Sequence, residues 1–264
     1  MTTAPDWVGR FYDRKSLAAG PSGVLDHHRE RAASISRFGG VARGRVLELG
    51  AGAGGSAVAS AELGYDVVAV ELSAVRAGFA RELVTETGVG VSVVEDDFMA
   101  AEIRGRFDAV TCWNGFGVGS DDDQRALLRR VARDWLAPGA VMVLDVFNPV
   151  GWSRLAGASE RDEETGLHQE IDFDPVGCRF LDSWWFDGDD SPPLTQSVRC
   201  YSPADLALLV EGTGLAVDGL EVGGEPLDRA ARGVSGPLGE TWGYRARLSA
   251  LIGAANGTAG TVDA

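Results

Sequence analysis

Two glutamates bracket a run of glycines in residues 45–73, RVLELGAGAGGSAVASAELGYDVVAVELS. Glu48 lies two residues before Gly50, and Glu71 follows Gly50 after 21 residues. Glycines lack a Cβ atom, so they allow a tight turn in which a ligand lies against backbone N–H groups at the start of a helix. A carboxylate at the end of the next strand accepts hydrogen bonds from a ribose diol. This spacing predicts a nucleotide-binding βαβ unit.

Apolar residues on both sides of the glycines supply the elements that hold them. Residues 46–49 and 67–70 predict two buried strands, and residues 56–63 predict a small-residue helix between them. The glycines satisfy the dinucleotide pattern G-x-G-x-x-G, which keeps an NAD-dependent oxidoreductase as one alternative. The carboxylate of Glu48 would repel a pyrophosphate but attract a sulfonium or ammonium group. That preference favours S-adenosylmethionine as the ligand.

Two motifs in this stretch resemble a known family. ELGAGAGG at residues 48–55 and VVAVELS at residues 67–73 resemble motifs I and II of class I S-adenosylmethionine-dependent methyltransferases of the small-molecule type. The similarity extends over residues 45–150 as a series of strand-end matches. It implies that S-adenosyl-L-methionine is the cofactor, and it implies a set of cofactor-binding residues here. They are Glu48, Gly50, Ala51, Gly52, Glu71 and Leu72.

The third predicted strand, residues 89–94, delivers several acids to the same sheet edge. In the resembled family an aspartate at this point accepts a hydrogen bond from the adenine amino group, and its apolar neighbour packs on the ring. By register, Asp97 and Phe98 match that pattern. Asp96 replaces the small residue of the family pattern, so it is kept as a second cofactor-binding candidate. A solvated acidic turn is the alternative for these acids.

The loop after the fourth predicted strand, residues 107–112, is expected to lie between cofactor and acceptor. We assign Trp113 to the cofactor, Phe116 to the acceptor, and Asn114 both to acceptor binding and to catalysis, because an amide can donate and accept hydrogen bonds. The alternative is that both aromatic residues pack under the next helix. The fifth strand, residues 140–147, is followed by Asn148 and Trp152, which we assign to acceptor binding.

Two segments are expected to cover the cavity. Residues 1–40 predict an N-terminal helical lid, in which Tyr12 of a Phe-Tyr-Asp sequence resembles a residue that closes over the cofactor. Three alternating segments within residues 151–201 predict a small antiparallel sheet that caps the acceptor. The cap's candidate lining residues are Trp152, His168, Trp184, Trp185 and Tyr201.

The complete architecture follows from this order of elements. We predict an α/β fold: a doubly wound, mainly parallel, seven-stranded Rossmann-like sheet with a small antiparallel insertion after the fifth strand. The cofactor-binding core spans residues 41–150. Residues 202–252 supply a helix and a closing antiparallel hairpin, an ending typical of the resembled family and not of an NAD domain. Residues 253–264 are expected to be a disordered tail.

Composition restricts the partners. The formal net charge of −15 over 264 residues disfavours nucleic acid and acidic membranes and suits a small neutral or cationic acceptor. No signal peptide or membrane span is evident, so a cytoplasmic location is expected. Three widely spaced cysteines predict reduced thiols, with neither a disulfide framework nor a metal site. The sequence leaves open whether the protein forms a homo-oligomer.

The expected chemistry is direct displacement of a methyl group from a sulfonium. A phenol or alcohol benefits from a general base, for which His27, His28 and His168 have a fitting pKa. An amine needs only to lose its proton before it attacks. We take Tyr12, His28, Asn114 and His168 as catalytic candidates. N-methylation is favoured over O-methylation, and the resemblance suggests natural-product tailoring. A protein of this fold that binds S-adenosylmethionine without methylating is a further alternative.

Overall fold

The computed structural model describes residues 4–188, 190, 192–227 and 236–251. Its first strands are β1 (Arg45–Leu49), β2 (Asp66–Glu71), β3 (Val91–Glu95), β4 (Phe107–Cys112), β5 (Leu136–Phe147) and β6 (Ala158–Asp162). The later strands are β7 (Leu167–Asp174), β8 (Arg179–Phe186), β9 (Leu194–Arg199), β10 (Leu215–Val222), β11 (Glu225–Pro226) and β12 (Gly243–Ala250). The helices are α1 (Trp7–Ala19), α2 (Asp26–Arg37), α3 (Gly55–Glu62), α4 (Ala74–Thr87), α5 (Asp121–Arg130), α6 (Pro149–Ser153) and α7 (Pro203–Val210).

The central sheet confirms the predicted doubly wound architecture. Its strand order is β11-β10-β12-β5-β4-β1-β2-β3. The strands from β5 to β3 are parallel, whereas β12, β10 and β11 run antiparallel to their neighbours. The sheet has eight strands instead of seven because the two-residue strand β11 extends its edge. The closing hairpin is therefore formed as predicted, with one short addition.

Apolar layers on both faces of the sheet explain why its inner strands are almost entirely hydrophobic. Leu47 and Leu49 of β1 pack into a layer with Leu127 of α5. Val46, one residue before Leu47, points to the other layer, which includes Ile35 of α2. This double burial fixes the C-terminal ends of β1, β2 and β4 side by side, and those ends carry the residues of the site.

The junction between α5 and β5 is irregular. The α-helix ends at Arg130, continues as a π-helical turn over Val131–Trp135, and passes directly into β5. Strand β5 pairs with β4 at Leu136 and regains its register only at Val141. Pro138 and Gly139 lie in this interval. Since proline has no N–H to donate to a neighbouring strand, the local loss of register follows from the sequence.

A second, four-stranded antiparallel sheet follows β5 and α6, in the order β6-β7-β8-β9. The sequence predicted the last three strands. It did not predict β6, because all five of its residues are exposed and show no apolar alternation. The small sheet contacts the core through Phe147 at the end of β5, whose ring centroid lies 4.8 Å from that of Phe180 on β8. It therefore covers the end of the central sheet where the site lies.

The N-terminal segment forms the two helices α1 and α2, where the sequence predicted a helical lid. Helix α1 packs against α4 and β9, and α2 packs against α3. Among the described residues, Cys112 and Cys200 are buried free thiols and Cys178 is a half-buried one. No helix in this part of the chain is long and apolar enough to cross a bilayer. The predicted tail, residues 253–264, lies outside the described residues.

Candidate active site

The turn after β1 has the conformation that its glycines predict. Gly50, Gly52 and Gly54 have φ angles of 70°, 59° and 83°, in the left-handed region that disfavours side chains. The N–H groups of Gly50 and Ala51 donate to the Val70 carbonyl on β2 at 2.9 and 3.0 Å. These bonds hold the turn against the neighbouring strand, and α3 begins at its end. We call residues 50–54 the glycine bend.

Glu71, at the end of β2, is fastened to this bend. One carboxylate oxygen accepts the Gly52 N–H at 2.7 Å, and the other accepts the Ser73 N–H at 2.9 Å. Glu71 is only 5% exposed. Each carboxylate oxygen can accept a second hydrogen bond, so the pair of backbone donors orients the group without exhausting it. The geometry suits recognition of two adjacent hydroxyl groups.

Glu48 is a buried carboxylate with an unused oxygen. It is 2% exposed, and its Oε2 has no hydrogen-bond partner among the described residues. Burial raises the pKa of Glu48 to about 8, and the nearby Glu71 adds to the rise while Arg31 opposes it. Arg31, which lines the same cavity, is held by Asp145 at 3.1 Å. A carboxyl group that is protonated in the free enzyme and a guanidinium therefore face one space. The carboxyl group can ionise when a cation binds beside it, so the pair suits a zwitterion.

Asp97 and Phe98, after β3, form a further part of the site, next to the glycine bend. The Asp97 carboxylate accepts the N–H groups of Ala4 at 2.7 Å and of Met99 at 2.8 Å. Phe98 Cε1 lies 3.7 Å from the position that a Cβ atom on Gly50 would take, so its ring stands beside the first glycine of the bend. A flat ring bound here would meet an aromatic face and a carboxylate.

Helix α1 closes over these residues. The Tyr12 hydroxyl donates to Gln196 on β9 at 3.1 Å, and the Arg76 guanidinium lies 4.2 Å from the centroid of the Tyr12 ring. Asp13 accepts a hydrogen bond from Ser73, the N-cap of α4. Burial raises the pKa of Tyr12 to about 12. The helix thus connects the glycine-bend side of the cavity to the small sheet.

One cavity of about 790 Å³, which we call the central cavity, is lined by Tyr12, Glu48, Glu71, Asp97 and Phe98. A model of the methyltransferase domain family matches residues 46–139. A ubiquinone biosynthesis O-methyltransferase of Xanthomonas axonopodis pv. citri is 30% identical over 214 residues, covering 78% of this chain and 70% of that protein. The chain belongs to the class I S-adenosylmethionine-dependent methyltransferases.

Two further comparisons agree with this assignment. The cypemycin N-terminal methyltransferase of a Streptomyces species is 29% identical over 199 residues, which cover 71% of this chain and 79% of that protein. The structure of the CcbJ methyltransferase from Streptomyces caelestis aligns with a TM-score of 0.70 at 25% identity, over 94% of this chain and 98% of that one. The methyltransferase is thus an enzyme with S-adenosylmethionine as its cofactor, and the oxidoreductase alternative is set aside.

Two observations on the methyltransferase's own residues fit this cofactor. A Cβ atom on Gly52 would meet only Arg76, at 3.9 Å, so the space in front of the bend is open to a ligand. The unpartnered Oε2 of Glu48 offers an acceptor for an ammonium group. By contrast, a Cβ atom on Gly54 would lie 2.8 Å from the Ala80 side chain. Gly54 is therefore needed for helix packing, whereas Gly52 leaves room in the cavity.

His28 is the one histidine of the three that lines the cavity. Its Nδ1 accepts the Leu25 N–H at 3.1 Å, and its ring lies against Gly55, where a Cβ atom would be 2.2 Å away. Burial lowers the pKa of His28 to about 4, and the charges of His27 and Arg31 act in the same direction. At neutral pH the ring is uncharged, and its accepting nitrogen is already used.

His168 was predicted as a catalytic candidate, and the structure places it elsewhere. It lies on β7 outside the set of cavity-lining residues, bonds to Asp187 at 2.8 Å, and stacks on Trp185. Alternation along the strand explains the error, because residues on adjacent positions face opposite sides of the small sheet. Gln169 faces the cavity, so His168 does not. Trp184 and Trp185 also lie outside the lining.

The loop after β4 divides the predicted residues. Trp113 and Asn114 line the cavity, and Asn114 has a φ of 58°, which is rare for a residue with a side chain. Trp113 Nε1 is buried without a partner among the described residues. Phe116, in contrast, is buried in the core with its ring 5.5 Å from that of Tyr201. The acceptor role of Phe116, and the lining role of Tyr201, are therefore corrected to packing roles.

Asn148 is also corrected, whereas Trp152 is placed at the cavity. The Asn148 amide donates to the carbonyls of Leu238 at 2.6 Å and Thr241 at 2.9 Å, and its side chain caps α6. It is buried and fully used in holding distant segments together. Trp152 lines the cavity, stacked on Phe180 with centroids 4.2 Å apart. An aromatic wall therefore borders the cavity on the side of the small sheet.

Asp96 is the remaining correction. It is not among the cavity-lining residues; its N–H donates to the Glu71 carbonyl, and its carboxylate accepts the Asp97 N–H at 2.8 Å. Asp97, which the family pattern favours by register, lines the cavity, and Asp96 does not. Asp96 instead shapes the turn that presents its neighbour.

Polar residues on the small sheet were missed by the sequence analysis. Gln169, Asp182 and Gln196 line the cavity opposite the glycine bend, together with Lys15 of α1. Alternation along the strand could have revealed Asp182, because it lies two residues after Phe180 and therefore shares its face of the sheet. The aromatic pattern predicts only aromatic residues and His168 for this lining. Among the described residues, no group of three or more His, Cys, Asp or Glu side chains is placed to hold a metal ion.

Proposed function

We propose that this methyltransferase transfers the methyl group of S-adenosylmethionine to a nitrogen atom of a small molecule, as a tailoring step in natural-product biosynthesis. When bound, the cofactor supplies an electrophilic methyl group on a sulfonium. The observation that carries the choice of nitrogen is the state of His28. It is the histidine at the cavity, and both its lowered pKa and its bond to Leu25 make it a poor base.

The assignment of residues to the cofactor is part of this proposal. Glu71 would bind the ribose hydroxyls, and Asp97 with Phe98 would bind the adenine. Glu48 would accept from the ammonium group of the methionine moiety, and Arg31 would pair with its carboxylate. The support is that all five side chains line the central cavity together with residues 50–52 of the glycine bend. Backbone groups of residues 50–52 complete the site.

The acceptor would enter on the side of the small sheet. Trp152 and Phe180 supply an apolar wall there, and Asn114 is an exposed amide at the end of β4. Holding an amine against the methyl group contributes up to about 7–11 kcal/mol to the lowering of the barrier, through orientation alone. The residues of the cavity then need to orient the nitrogen lone pair and exclude water. A phenol or alcohol would in addition need a base to accept its proton.

The relatives include both kinds of chemistry. The cypemycin enzyme is named as an N-terminal methyltransferase, and the ubiquinone enzyme is named as an O-methyltransferase. At 29–30% identity these names support a small-molecule or peptide-end acceptor and leave the atom to be determined. The formal net charge of −15 supports a cationic acceptor, because a negatively charged protein attracts protonated amines.

A mass-shift assay against matched amines and phenols tests the proposal. The enzyme is incubated with S-adenosylmethionine and each acceptor, and the product is analysed for a mass increase of one methylene and for S-adenosylhomocysteine. We expect products from amines, with the methyl group located on nitrogen by fragmentation. Methylation confined to phenols or alcohols would contradict the nitrogen assignment. If no S-adenosylhomocysteine formed with either the amines or the phenols, the proposed acceptor type would be contradicted.

A further inference from the structure

A buried carboxylate is held on the inner face of the small sheet. Asp182 is 4% exposed, and its two oxygens accept hydrogen bonds from Gln169 at 2.8 Å and from Gln196 at 2.7 Å. Gln196 in turn accepts the Tyr12 hydroxyl. Burying an ionised carboxylate costs free energy unless it is bonded, and both glutamines meet that need. Each oxygen still has a lone pair, and the residue lines the central cavity.

Lys15 brings a positive charge to the same wall. Its Nζ lies 4.0 Å from the centroid of the Trp184 ring and 5.9 Å from that of Phe11. Lys15 is one of the residues that line the central cavity, and within the described residues its Nζ has no hydrogen-bond acceptor or ion-pair partner. Trp184 follows Asp182 by two residues on β8, so the two side chains share a face of the small sheet and the ammonium lies on the same face as the carboxylate. Burial lowers the pKa of Lys15, and the charge of Asp182 opposes that shift.

The position of this pair assigns it to the acceptor. Tyr12 separates it from the glycine bend, since the Tyr12 hydroxyl bonds to Gln196 while its ring stacks on Arg76 near Gly52. Lys15 and Asp182 therefore lie beyond the groups that would hold the cofactor. They lie beside the aromatic wall of the small sheet.

We propose that Lys15 and Asp182 bind a polar substituent of the acceptor that both donates and accepts hydrogen bonds, such as a hydroxyl or a primary amide. This inference rests on the proposed small-molecule function. A carboxylate substituent would be repelled by Asp182, and an ammonium substituent would be repelled by Lys15. A hydroxyl can donate to Asp182 and accept from Lys15 at the same time. The acceptor class is therefore an amine that carries a hydroxyl or amide group.

Three probes that differ in one substituent test this proposal: cyclohexylamine, aminocyclohexanol and aminocyclohexanecarboxylate. Their dissociation constants are measured on the enzyme saturated with S-adenosylhomocysteine, by tryptophan fluorescence. We expect aminocyclohexanol to bind about tenfold more tightly than either of the others, because hydrogen bonds to charged groups are worth more than neutral ones. In Lys15→Met and in Asp182→Asn, that preference should fall below about twofold.

Controls separate recognition from folding and from the reaction. Glu170→Gln removes an exposed carboxylate from the same sheet, away from the cavity, and should retain the full preference. The affinity for S-adenosylhomocysteine should stay within about twofold of wild type in both test variants. Lys15→Met keeps an unbranched apolar side chain without the charge, so it serves as the second test if Asp182→Asn unfolds.

Three results would overturn the inference: no preference for aminocyclohexanol in the wild type, including no binding of any probe; a preference that survives both substitutions; or a parallel loss of affinity for S-adenosylhomocysteine. Failure of the proposed function would look different. A methyl group found on the hydroxyl oxygen of aminocyclohexanol would contradict N-methylation and leave the binding preference unchanged.

Discussion

Replacing Glu71 by alanine perturbs the ribose end of the proposed cofactor site. The carboxylate is 5% exposed and is aimed by hydrogen bonds from Gly52 and Ser73. Hydrogen bonds that involve a charged group contribute about 1.5–3 kcal/mol. Their loss should raise the dissociation constant of S-adenosylhomocysteine by roughly 10- to 150-fold.

The same substitution has a second, separable effect on the free protein. Two backbone N–H groups lose their acceptor, and an unsatisfied buried donor costs about 1–3 kcal/mol. We therefore expect Glu71→Ala to lower the melting temperature as well as the affinity. Glu71→Gln keeps one oxygen that can accept a backbone N–H but removes the charge. It should unfold closer to the wild-type temperature and still bind more weakly.

Isothermal titration calorimetry of S-adenosylhomocysteine, paired with thermal unfolding, measures both effects. Glu95→Gln is a matched control, because Glu95 ends β3 at the register position opposite Glu71 but is exposed and outside the cavity. It should bind like wild type. The reasoning would be refuted if the folded Glu71→Gln variant bound S-adenosylhomocysteine with unchanged affinity, or if the control lost as much as the test variant.

Three more predictions address other parts of the site. Gly52→Val should abolish S-adenosylhomocysteine binding in calorimetry because its side chain fills the open space of the bend, whereas Gly64→Val, with a φ of 90° and open surroundings, should bind normally. The wild-type enzyme should release a proton when it binds S-adenosylhomocysteine at pH 7, because the raised pKa of Glu48 keeps this carboxyl group protonated in the free enzyme. Calorimetry in buffers of different ionisation enthalpy measures the release, and Glu48→Gln should show none. Tyr12→Phe loses the hydrogen bond to the small sheet and should lower kcat/KM in the mass-shift assay by a larger factor than it lowers the affinity for the cofactor. Unaltered turnover would mean that the N-terminal helix has only a packing role.

The pKa of Glu48 also fixes the direction of a pH effect on stability. Its folded-state pKa of about 8 lies above the ordinary value of 4.5, so this group stabilises the fold relative to the unfolded chain only at low pH. The contribution declines as the pH rises from about 4.5 to 8. Glu48→Gln should therefore be more stable than wild type at pH 8, and that advantage should vanish near pH 4.5. An advantage that is constant with pH would contradict the raised pKa.

The part of the site built from local sequence was predictable. The glycine bend needs positive φ angles, which glycine adopts at the lowest cost, and Gly50 and Gly52 have them. The ends of parallel strands meet at one sheet edge, so Glu48 and Glu71 were placed together from sequence alone. The strand assignments succeeded for the same reason: burial on both faces leaves a nearly continuous apolar run.

Long-range contacts account for most of the errors. Asn148 follows the fifth strand as an acceptor residue would, but its amide binds carbonyls about 90 residues later, and nothing near Asn148 in the sequence indicates them. Asp182 was overlooked because a polar residue in an alternating strand reads as exposed. It lies inside only because Gln169 and Gln196, on the strands at either side, satisfy it. Pairing between strands decides such cases.

A crystal structure of the enzyme with S-adenosylhomocysteine tests the central claim most directly. We predict that the ribose hydroxyls contact Glu71, that the adenine lies beside Phe98, and that the ammonium group lies within hydrogen-bond distance of Glu48. The sulfur should then face the cavity wall formed by Trp152 and the small sheet. A nucleoside bound away from the glycine bend, or a sulfur directed away from that wall, would contradict the account.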